Sequence, residues 1–217
     1  MSELYFSNGR TLRVGKLVCL GANYSEHNRE MKRDDLILPL LFLKPSTAII
    51  HNGDAVEIPA FSSSLHHEVE LVAVIGRQCK RVTEKEAMKC ICGYAVGLDM
   101  TLRDVQDVAK KKGHPWSVSK GFDTSAPISD AVPAETVSNP HKLDIQLKVN
   151  GEIRQRSNTS KMIFPLEYQV AYISSIFTLE EGDLIFTGTP EGVGQVTSGD
   201  EMEGRVEEVG TITVKVR

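Results

Sequence analysis

The sequence lacks the features that mark membrane and secreted proteins. Its longest apolar run, residues 36–43, is interrupted by Pro39, and it is far shorter than the roughly 20 residues that span a bilayer. The first residues contain neither a basic segment nor an apolar one, so we expect no secretory signal and a cytoplasmic location. Of the four cysteines, Cys90 and Cys92 are close in sequence, but the C-x-C spacing is typical of neither a zinc knuckle nor a CxxC redox pair. We therefore expect free thiols.

The sequence also lacks an excess of basic residues. Lysine and arginine total 25 against 29 acidic residues, which gives a net charge of −4. This balance argues against a general nucleic-acid binder, because such proteins need a basic surface. No GxSxG, Walker, HExxH or GxGxxG motif occurs, and the glycines of residues 188–194 have the wrong spacing for a dinucleotide site. Ser117-x-x-Lys120 matches one motif of serine β-lactamases, but the partner motifs are missing.

Strand patterns dominate the 217 residues, and no repeat or linker divides them. Apolar or alternating runs predict strands at 16–20, 41–43, 68–75, 94–98, 143–149, 152–155, 183–187 and 211–216. Asn150-Gly151 predicts a type I′ hairpin turn. Helices are predicted at 83–90 from a capping box, at 101–112, and from Pro165, at the first helical position, to about 176. These patterns predict a single domain over 1–217 with a mixed, β-rich α/β fold.

The most informative segment is the strand that begins with Glu68 and Glu70. Side chains alternate along a strand, so the two carboxylates point the same way, and the apolar residues that follow indicate burial. Two buried carboxylates repel each other unless a cation compensates them, although an exposed face carrying two acids is the blander alternative. Asp99 ends a second apolar strand and adds a third oxygen ligand. Three carboxylates without cysteine favour Mg²⁺ or Mn²⁺ over zinc.

Other polar residues could surround such a metal. His27 and Glu30, at a spacing of three, share one face if their segment is helical, and the pair could act as a general base; a solvated polar helix explains them equally. Arg103, Gln106 and Lys120 follow Asp99 as cationic and polar candidates, although Arg103 and Lys120 could be surface residues. The turn at 188–190 could offer backbone N–H groups to a carboxylate, or could simply be a turn. His66 and His67 are expected to pack beside the site.

Several short motifs follow one another along the chain: Gly21-x-Asn23-Tyr24 with His27 and Glu30; Phe42-x-Lys44-Pro45-Ser46; His67-Glu68-x-Glu70-Leu71; Asp99-Met-Thr-x-Arg103-Asp-x-Gln106; Lys120-Gly-Phe-Asp-Thr; Val149-Asn-Gly151-Glu; and Glu181-Gly-Asp183 with Thr187-Gly-Thr189-Pro190. In these motifs the sequence resembles the fumarylacetoacetate hydrolase family from about residue 16 to its end, and it looks most like the short branch that includes acylpyruvate hydrolases and oxaloacetate decarboxylases.

The resemblance implies packed and rolled β-sheets, a homodimer, and Mg²⁺ or Mn²⁺ held by Glu68, Glu70 and Asp99. It further implies that His27 and Glu30 activate water from a lid and that Lys120 stabilises negative charge. Three residues would hold the substrate's carboxylate or carbonyl: Arg103, Gln106 and Thr189.

The implied reaction is cleavage of an acylpyruvate, a 2-oxo acid that chelates the metal, through a metal-stabilised enolate. Decarboxylation of oxaloacetate and its keto–enol tautomerisation involve the same charge distribution and stay open as alternatives. A rival of another class is a non-catalytic metal- or ligand-binding module. We also expect the segment from Tyr24 to Leu38 to be mobile without ligand and to order over the metal when a 2-oxo acid binds.

Overall fold

The computed structural model describes residues 2–26 and 38–217. It is rich in strands and has few, short helices, which confirms the predicted fold class. The strands are β1 (Glu3–Tyr5), β2 (Thr11–Arg13), β3 (Leu17–Gly21), β4 (Leu40–Lys44), β5 (Ile49–Ile50), β6 (Ala55–Val56), β7 (Leu65–His67), β8 (Val69–Ile75), β9 (Ile91–Leu98), β10 (Thr101–Leu102), β11 (Ala126–Pro127), β12 (Val132–Pro133), β13 (Asp144–Val149), β14 (Glu152–Asn158), β15 (Leu184–Phe186), β16 (Gly194–Val196), β17 (Glu201–Val206) and β18 (Gly210–Val216). The α-helices are α1 (Glu84–Ala87), α2 (Arg103–Lys112), α3 (Ser117–Lys120) and α4 (Leu166–Ile176).

Two larger sheets form the frame of the fold. The first has six strands in the order β12-β9-β8-β15-β3-β4, and the second has five in the order β14-β13-β17-β18-β6. Strand β8 pairs antiparallel with β9, where Val69 lies opposite Leu98, and β15 pairs parallel with β3. A smaller sheet, β10-β7-β16, adjoins the start of β8. This arrangement brings the ends of several strands to one place beside Val69.

The strands of the central pair are buried on both faces. All seven residues of β8 are buried, so each face of its sheet is covered. Alternate residues such as Leu71 and Ala73 belong to a core cluster shared with β13, β17, β18 and α4, whereas Val72 and Val74 pack into a second cluster with β3 and β15. Because side chains alternate along a strand, Glu70 shares the face of Val72 and Val74.

The hairpin between β13 and β14 forms as the sequence predicts. Asn150 and Gly151 both have positive φ, 51° and 82°, which a type I′ turn requires at its two central positions. The turn lets the outer strand β14 fold back antiparallel on β13. Strand β14 extends to Asn158, three residues beyond the predicted end.

Several predicted boundaries differ from the structure. Strand β8 begins at Val69, because Glu68 lies at a break between β7 and β8. Pro165 occupies the N-cap of α4 in an extended conformation, not its first helical position. Residues 101–102 form a strand before α2, so the helix starts only at Arg103. Helix α3, too short to produce a periodic signal, was not predicted.

The capping box before α1 is present. As this motif requires, the Thr83 side chain accepts from the backbone N–H of Glu86, and the Glu86 carboxylate accepts from the backbone N–H of Thr83 at 3.1 Å. The carboxylate also accepts from the Thr83 hydroxyl at 2.8 Å. Among the described residues, none of the helices combines the length and the apolar character needed to cross a bilayer.

Candidate metal and substrate site

Three carboxylates meet at the place where β8 begins and β9 ends. The backbone N–H of Asp99 donates to the Glu68 carbonyl at 2.8 Å, which extends the ladder beyond the paired strands. Glu70 follows two residues later on β8, so it points in the same direction as Glu68. Ligand oxygens of Glu68, Glu70 and Asp99 all lie within 4.8 Å of one another, and the three residues are buried. We call these three residues the carboxylate cluster.

Within the described part of the chain, three cationic side chains contact the carboxylate cluster. The Lys120 ammonium contacts Glu68 Oε2 at 2.7 Å and Asp99 Oδ2 at 2.5 Å. Arg103 donates to Glu68 Oε1 at 2.6 Å, and Lys44 Nζ lies 2.8 Å from Asp99 Oδ1. Buried carboxylates lose hydration, so these contacts supply the compensating charge.

The pKa values of the site follow from this crowding. Burial raises the pKa of Glu70 well above its usual value, and the charges of Asp99 and Glu68 raise it further. Burial acts to lower the pKa of Lys120, but Asp99 and Glu68 outweigh it and the net shift is upward. Lys120 therefore stays protonated at neutral pH, and it can act as a fixed positive charge.

Lys44 is a site residue to which sequence reasoning gave no role. It ends strand β4, its side chain has no exposed surface, and its ammonium donates to the carbonyls of Ser125 at 2.9 Å and Met100 at 3.2 Å and to that of Lys120. It thus holds both a member of the carboxylate cluster and the backbone of Lys120. A lysine at the end of an apolar strand was the available signal, but sequence alone does not show whether such a residue points inward.

A cavity opens beside the carboxylate cluster and collects most of the predicted site residues. Its empty volume, including its open mouth, is about 310 Å³. It is lined by Leu20, Gly21, Ala22, Phe42, Glu68, Glu70, Arg103, Gln106, Trp116, Lys120 and Thr189. The Lys120 ammonium also lies 4.8 Å from the centre of the Phe42 ring, a distance typical of cation–π contact.

Two of the lining residues have a defined orientation. Arg103 Nη1 donates to Gln106 Oε1 at 2.7 Å. Because the amide oxygen of Gln106 is engaged in this way, its NH₂ group is the donor that remains for a ligand. The guanidinium carries five N–H groups, so Arg103 can bind Glu68, Gln106 and an anionic group together.

Thr189 lines the cavity, and its hydroxyl is hydrogen-bonded inside the protein. Its hydroxyl donates to the Val69 carbonyl at 2.8 Å and accepts from Gln155 Nε2 at 2.8 Å. The single hydroxyl proton is thereby engaged inside the protein. The N–H of Gly188, predicted as a donor to a carboxylate, donates to Glu70 Oε2 at 2.8 Å. It therefore orients a member of the carboxylate cluster.

The remaining predicted residues fall into two groups. His67 is buried and packs beside the site as expected, with Nδ1 2.9 Å from Gln155 Oε1, and His66 is partly buried. His27 and Glu30 lie outside the described residues, as does most of the segment expected to act as a lid.

The donor set fits a hard divalent cation. Carboxylate oxygens are the ligands that Mg²⁺ and Mn²⁺ prefer, and the cluster contains neither cysteine nor histidine. The oxygens are close enough together to share one ion. An ion bound here would share the oxygens of Glu68 and Asp99 with the Lys44, Arg103 and Lys120 side chains that contact them.

Comparison with known proteins supports the resemblance. A family model described as fumarylacetoacetate (FAA) hydrolase, C-terminal, matches residues 16–217. Human "oxaloacetate tautomerase FAHD1, mitochondrial" is 52% identical over 200 residues, 92% of this chain and 90% of that protein. The Arabidopsis thaliana protein of the same name is 50% identical over 187 residues, 86% of this chain and 84% of the relative.

Solved structures agree with the sequence comparison. The fumarylpyruvate hydrolase of Pseudomonas aeruginosa, crystallised with Mn²⁺ and pyruvate, superposes with a TM-score of 0.95 at 40% identity, covering 99% of this chain and 94% of that one. The chain therefore belongs to the fumarylacetoacetate hydrolase family.

Proposed function

We propose that this protein is a divalent-cation-dependent enzyme that forms an enolate from a small 2-oxo acid. The observation that carries the proposal is the buried carboxylate cluster, which faces a cavity together with Arg103, Gln106 and Lys120. Binding groups for an anion thus lie beside ligands for a cation. The Pseudomonas relative holds Mn²⁺ and pyruvate, a combination that fits this donor set.

Each described residue has a role in the proposal. Arg103 and the NH₂ group of Gln106 bind the carboxylate of the substrate and orient its 2-oxo group. A cation held by the carboxylate cluster would supply positive charge to the oxygens of the substrate. Lys120, protonated at neutral pH, stabilises the negative charge that develops on the C2 oxygen when a bond to C3 breaks. This bond is C3–C4 in hydrolysis and C3–H in tautomerisation. His27 with Glu30 is proposed, on the family motif alone, to move the proton or to activate water.

Besides the decarboxylation of oxaloacetate, two reactions share this chemistry. Hydrolysis of an acylpyruvate breaks the bond between C3 and C4 after water attacks the C4 carbonyl, and it gives pyruvate and a carboxylic acid. Tautomerisation of oxaloacetate only moves a proton between C3 and the C2 oxygen. The Pseudomonas hydrolase supports the first reaction. The higher identity of the tautomerases, 52% against 40%, favours the second.

A substrate panel tests the proposal. Acetylpyruvate and fumarylpyruvate cleavage, oxaloacetate decarboxylation and enol-to-keto conversion would be measured before and after EDTA, then with Mn²⁺ or Mg²⁺ restored. We expect turnover in at least one assay, its loss with EDTA and its recovery with metal. Activity that survives EDTA would contradict the metal requirement, and no turnover despite Mg²⁺ binding would support a non-catalytic module.

Substitutions in the site, measured with the same substrates, test the roles of individual residues. Glu70→Gln should lose metal-dependent turnover because a carboxylate ligand becomes a neutral amide. Glu203→Gln, on the partly exposed strand β17, is the matched control and should keep it. His27→Ala should abolish proton transfer or cleavage but retain pyruvate binding. An unchanged rate in His27→Ala would refute the general-base role.

Two expectations stay predictions. The homodimer rests on the family, and sedimentation equilibrium should give twice the 23.9 kDa chain mass if it is right. The cytoplasmic location rests on the sequence, and fractionation of cells that express the native protein would test it.

A further inference from the structure

Gln155 is a buried glutamine in a largely exposed strand. Strand β14 forms one edge of the five-stranded sheet, and Arg154 and Arg156 are exposed, whereas Gln155 is 1% exposed. Burial of a primary amide costs free energy unless its groups are hydrogen-bonded. The side chain therefore must have partners in the interior.

The Gln155 amide has four partners. Its oxygen accepts from the Val69 N–H at 3.1 Å and faces His67 Nδ1 at 2.9 Å. Its NH₂ group donates to Thr189 Oγ1 at 2.8 Å and to the Pro190 carbonyl at 2.9 Å. An amide has two acceptor lone pairs and two N–H donors, so its hydrogen-bonding capacity is filled.

These bonds fix the orientation of the amide. The Val69 N–H can only donate and the Pro190 carbonyl can only accept, so the oxygen must face β8 and the NH₂ group must face the 188–190 turn. His67 Nδ1 faces an acceptor and must therefore carry a proton. The orientation of the Gln155 amide thus determines that the His67 ring carries a proton on Nδ1.

The same bonds determine the hydroxyl of Thr189. Since this oxygen accepts from Gln155, its proton points the other way, to the Val69 carbonyl at 2.8 Å. The turn is thereby hydrogen-bonded to β8 at Val69, the residue between Glu68 and Glu70 of the carboxylate cluster. Gln155 thus links the turn to β8 at Val69 without lining the cavity.

We propose that Gln155 is a positioning residue that sets the distance between the 188–190 turn and the carboxylate cluster and thereby the affinity for the 2-oxo acid. The inference rests on the proposed function, because it takes the turn as one wall of the substrate site. Gln155 itself touches no substrate. Its effect is expected on binding more than on the chemical step, since Arg103 and Lys120 hold their own contacts.

Gln155→Glu is the sharpest test. The variant has the same shape and keeps an acceptor for Val69 and His67, but it replaces the NH₂ donor with an oxygen that repels the Pro190 carbonyl. Gln195→Glu is the matched control, because Gln195 lies on β16, is exposed and donates to the Ser63 carbonyl at 2.9 Å. Gln155→Met, which removes both halves of the amide, is the second variant if the glutamate variant does not fold.

Kinetics and calorimetry give the first readout. We expect Gln155→Glu to raise KM, and the Kd of pyruvate in the presence of Mn²⁺, by about tenfold, the scale of one lost hydrogen bond, with kcat changed less than about threefold. A merely structural role would lower kcat and the melting temperature without raising KM and Kd more than it lowers kcat. The control Gln195→Glu should match the wild type. Unchanged KM and Kd in an active Gln155→Glu enzyme would overturn the proposal while leaving the proposed function intact.

Nitrogen NMR of the histidine rings gives a readout independent of activity. In the wild type, His67 should carry its proton on Nδ1, and Gln155→Met should shift this resonance. A wild-type His67 with Nδ1 unprotonated would refute the network. If the protein turns over none of the 2-oxo acids and binds no pyruvate, the proposed function fails, and the positioning role in substrate binding fails with it.

Discussion

Lys44→Met tests whether a buried ammonium supports the site. Methionine has a similar length and fills the same space, so the variant removes the charge and leaves most of the packing. The Lys44 side chain has no exposed surface, and its Nζ lies 2.8 Å from Asp99 Oδ1 and 2.9 Å from the Ser125 carbonyl. The substitution therefore leaves a buried carboxylate with one cation fewer and backbone carbonyls without their donor.

The expected loss of stability follows from these contacts. Removal of one partner of a buried ion pair costs about 3–5 kcal/mol, because the other charge stays buried. Domains of ordinary stability unfold at a cost of about 5–15 kcal/mol, so Lys44→Met should lose a large part of the total. The melting temperature should fall by about 6–20 °C, on a scale of about 2–4 °C per kcal/mol.

Urea unfolding followed by circular dichroism measures this loss. The midpoint should fall while the slope stays the same, which indicates a change in stability and not in the denatured state. Lys148→Met is the control, since Lys148 forms a 2.8 Å ion pair with Glu203 and both side chains are partly exposed, 34% and 43%. Exposed pairs contribute about 0–1 kcal/mol. Equal losses in the two variants would refute the reasoning.

Three further predictions concern the cation site, the core and pH. Because burial and neighbouring carboxylates raise the pKa of Glu70, Mn²⁺ binding should release more protons as the pH falls through that raised pKa; calorimetry in two buffers measures this release, and Glu70→Gln should remove it. Gly97→Ala should cost about 1–3 kcal/mol in urea unfolding, since its Cβ would lie 2.5 Å from Val72 Cγ2 and 2.6 Å from Phe186 Cε1. Hydrogen bonds from Thr197 and Asn150 lower the pKa of Asp200, so its carboxylate stabilises the fold above the unfolded-state pKa of about 3.9. Destabilisation by Asp200→Asn, measured by urea unfolding, should therefore be seen at neutral pH and disappear as the pH falls through the folded-state pKa. An equal loss of stability at neutral pH and below that pKa would contradict this.

The sequence predicted the fold well where local chemistry decides the structure. Apolar alternation located the central strands, and Asn150-Gly151 located the hairpin, because φ and side-chain period are local properties. The boundary at Glu68 was wrong because a break between two strands depends on which neighbours supply hydrogen bonds. Helix α3 has one turn, which is too short for a periodic pattern.

The site was predicted in part for the same reason. Glu68 and Glu70 share a face by strand period alone, and Asp99 follows from its place at the end of the neighbouring strand. Lys44 and Gln155 could not be assigned roles, since their partners lie far away in sequence. Gln155 reaches Val69 across 86 residues and Thr189 across 34, and no local pattern encodes such distances.

The described part of the cavity explains charge stabilisation better than proton transfer. Lys120 is held protonated by Asp99 and Glu68, and the guanidinium of Arg103 has only donors and no acceptor, so neither can accept a proton. Glu68 is paired with both of these cations. A metal-bound carboxylate is a poor base because the cation competes for its lone pairs. A proton acceptor of suitable pKa must then come from another part of the chain, and histidine is the side chain whose usual pKa fits. Among the histidines of the chain, the family motif points to His27, so its substitution most directly separates binding from catalysis.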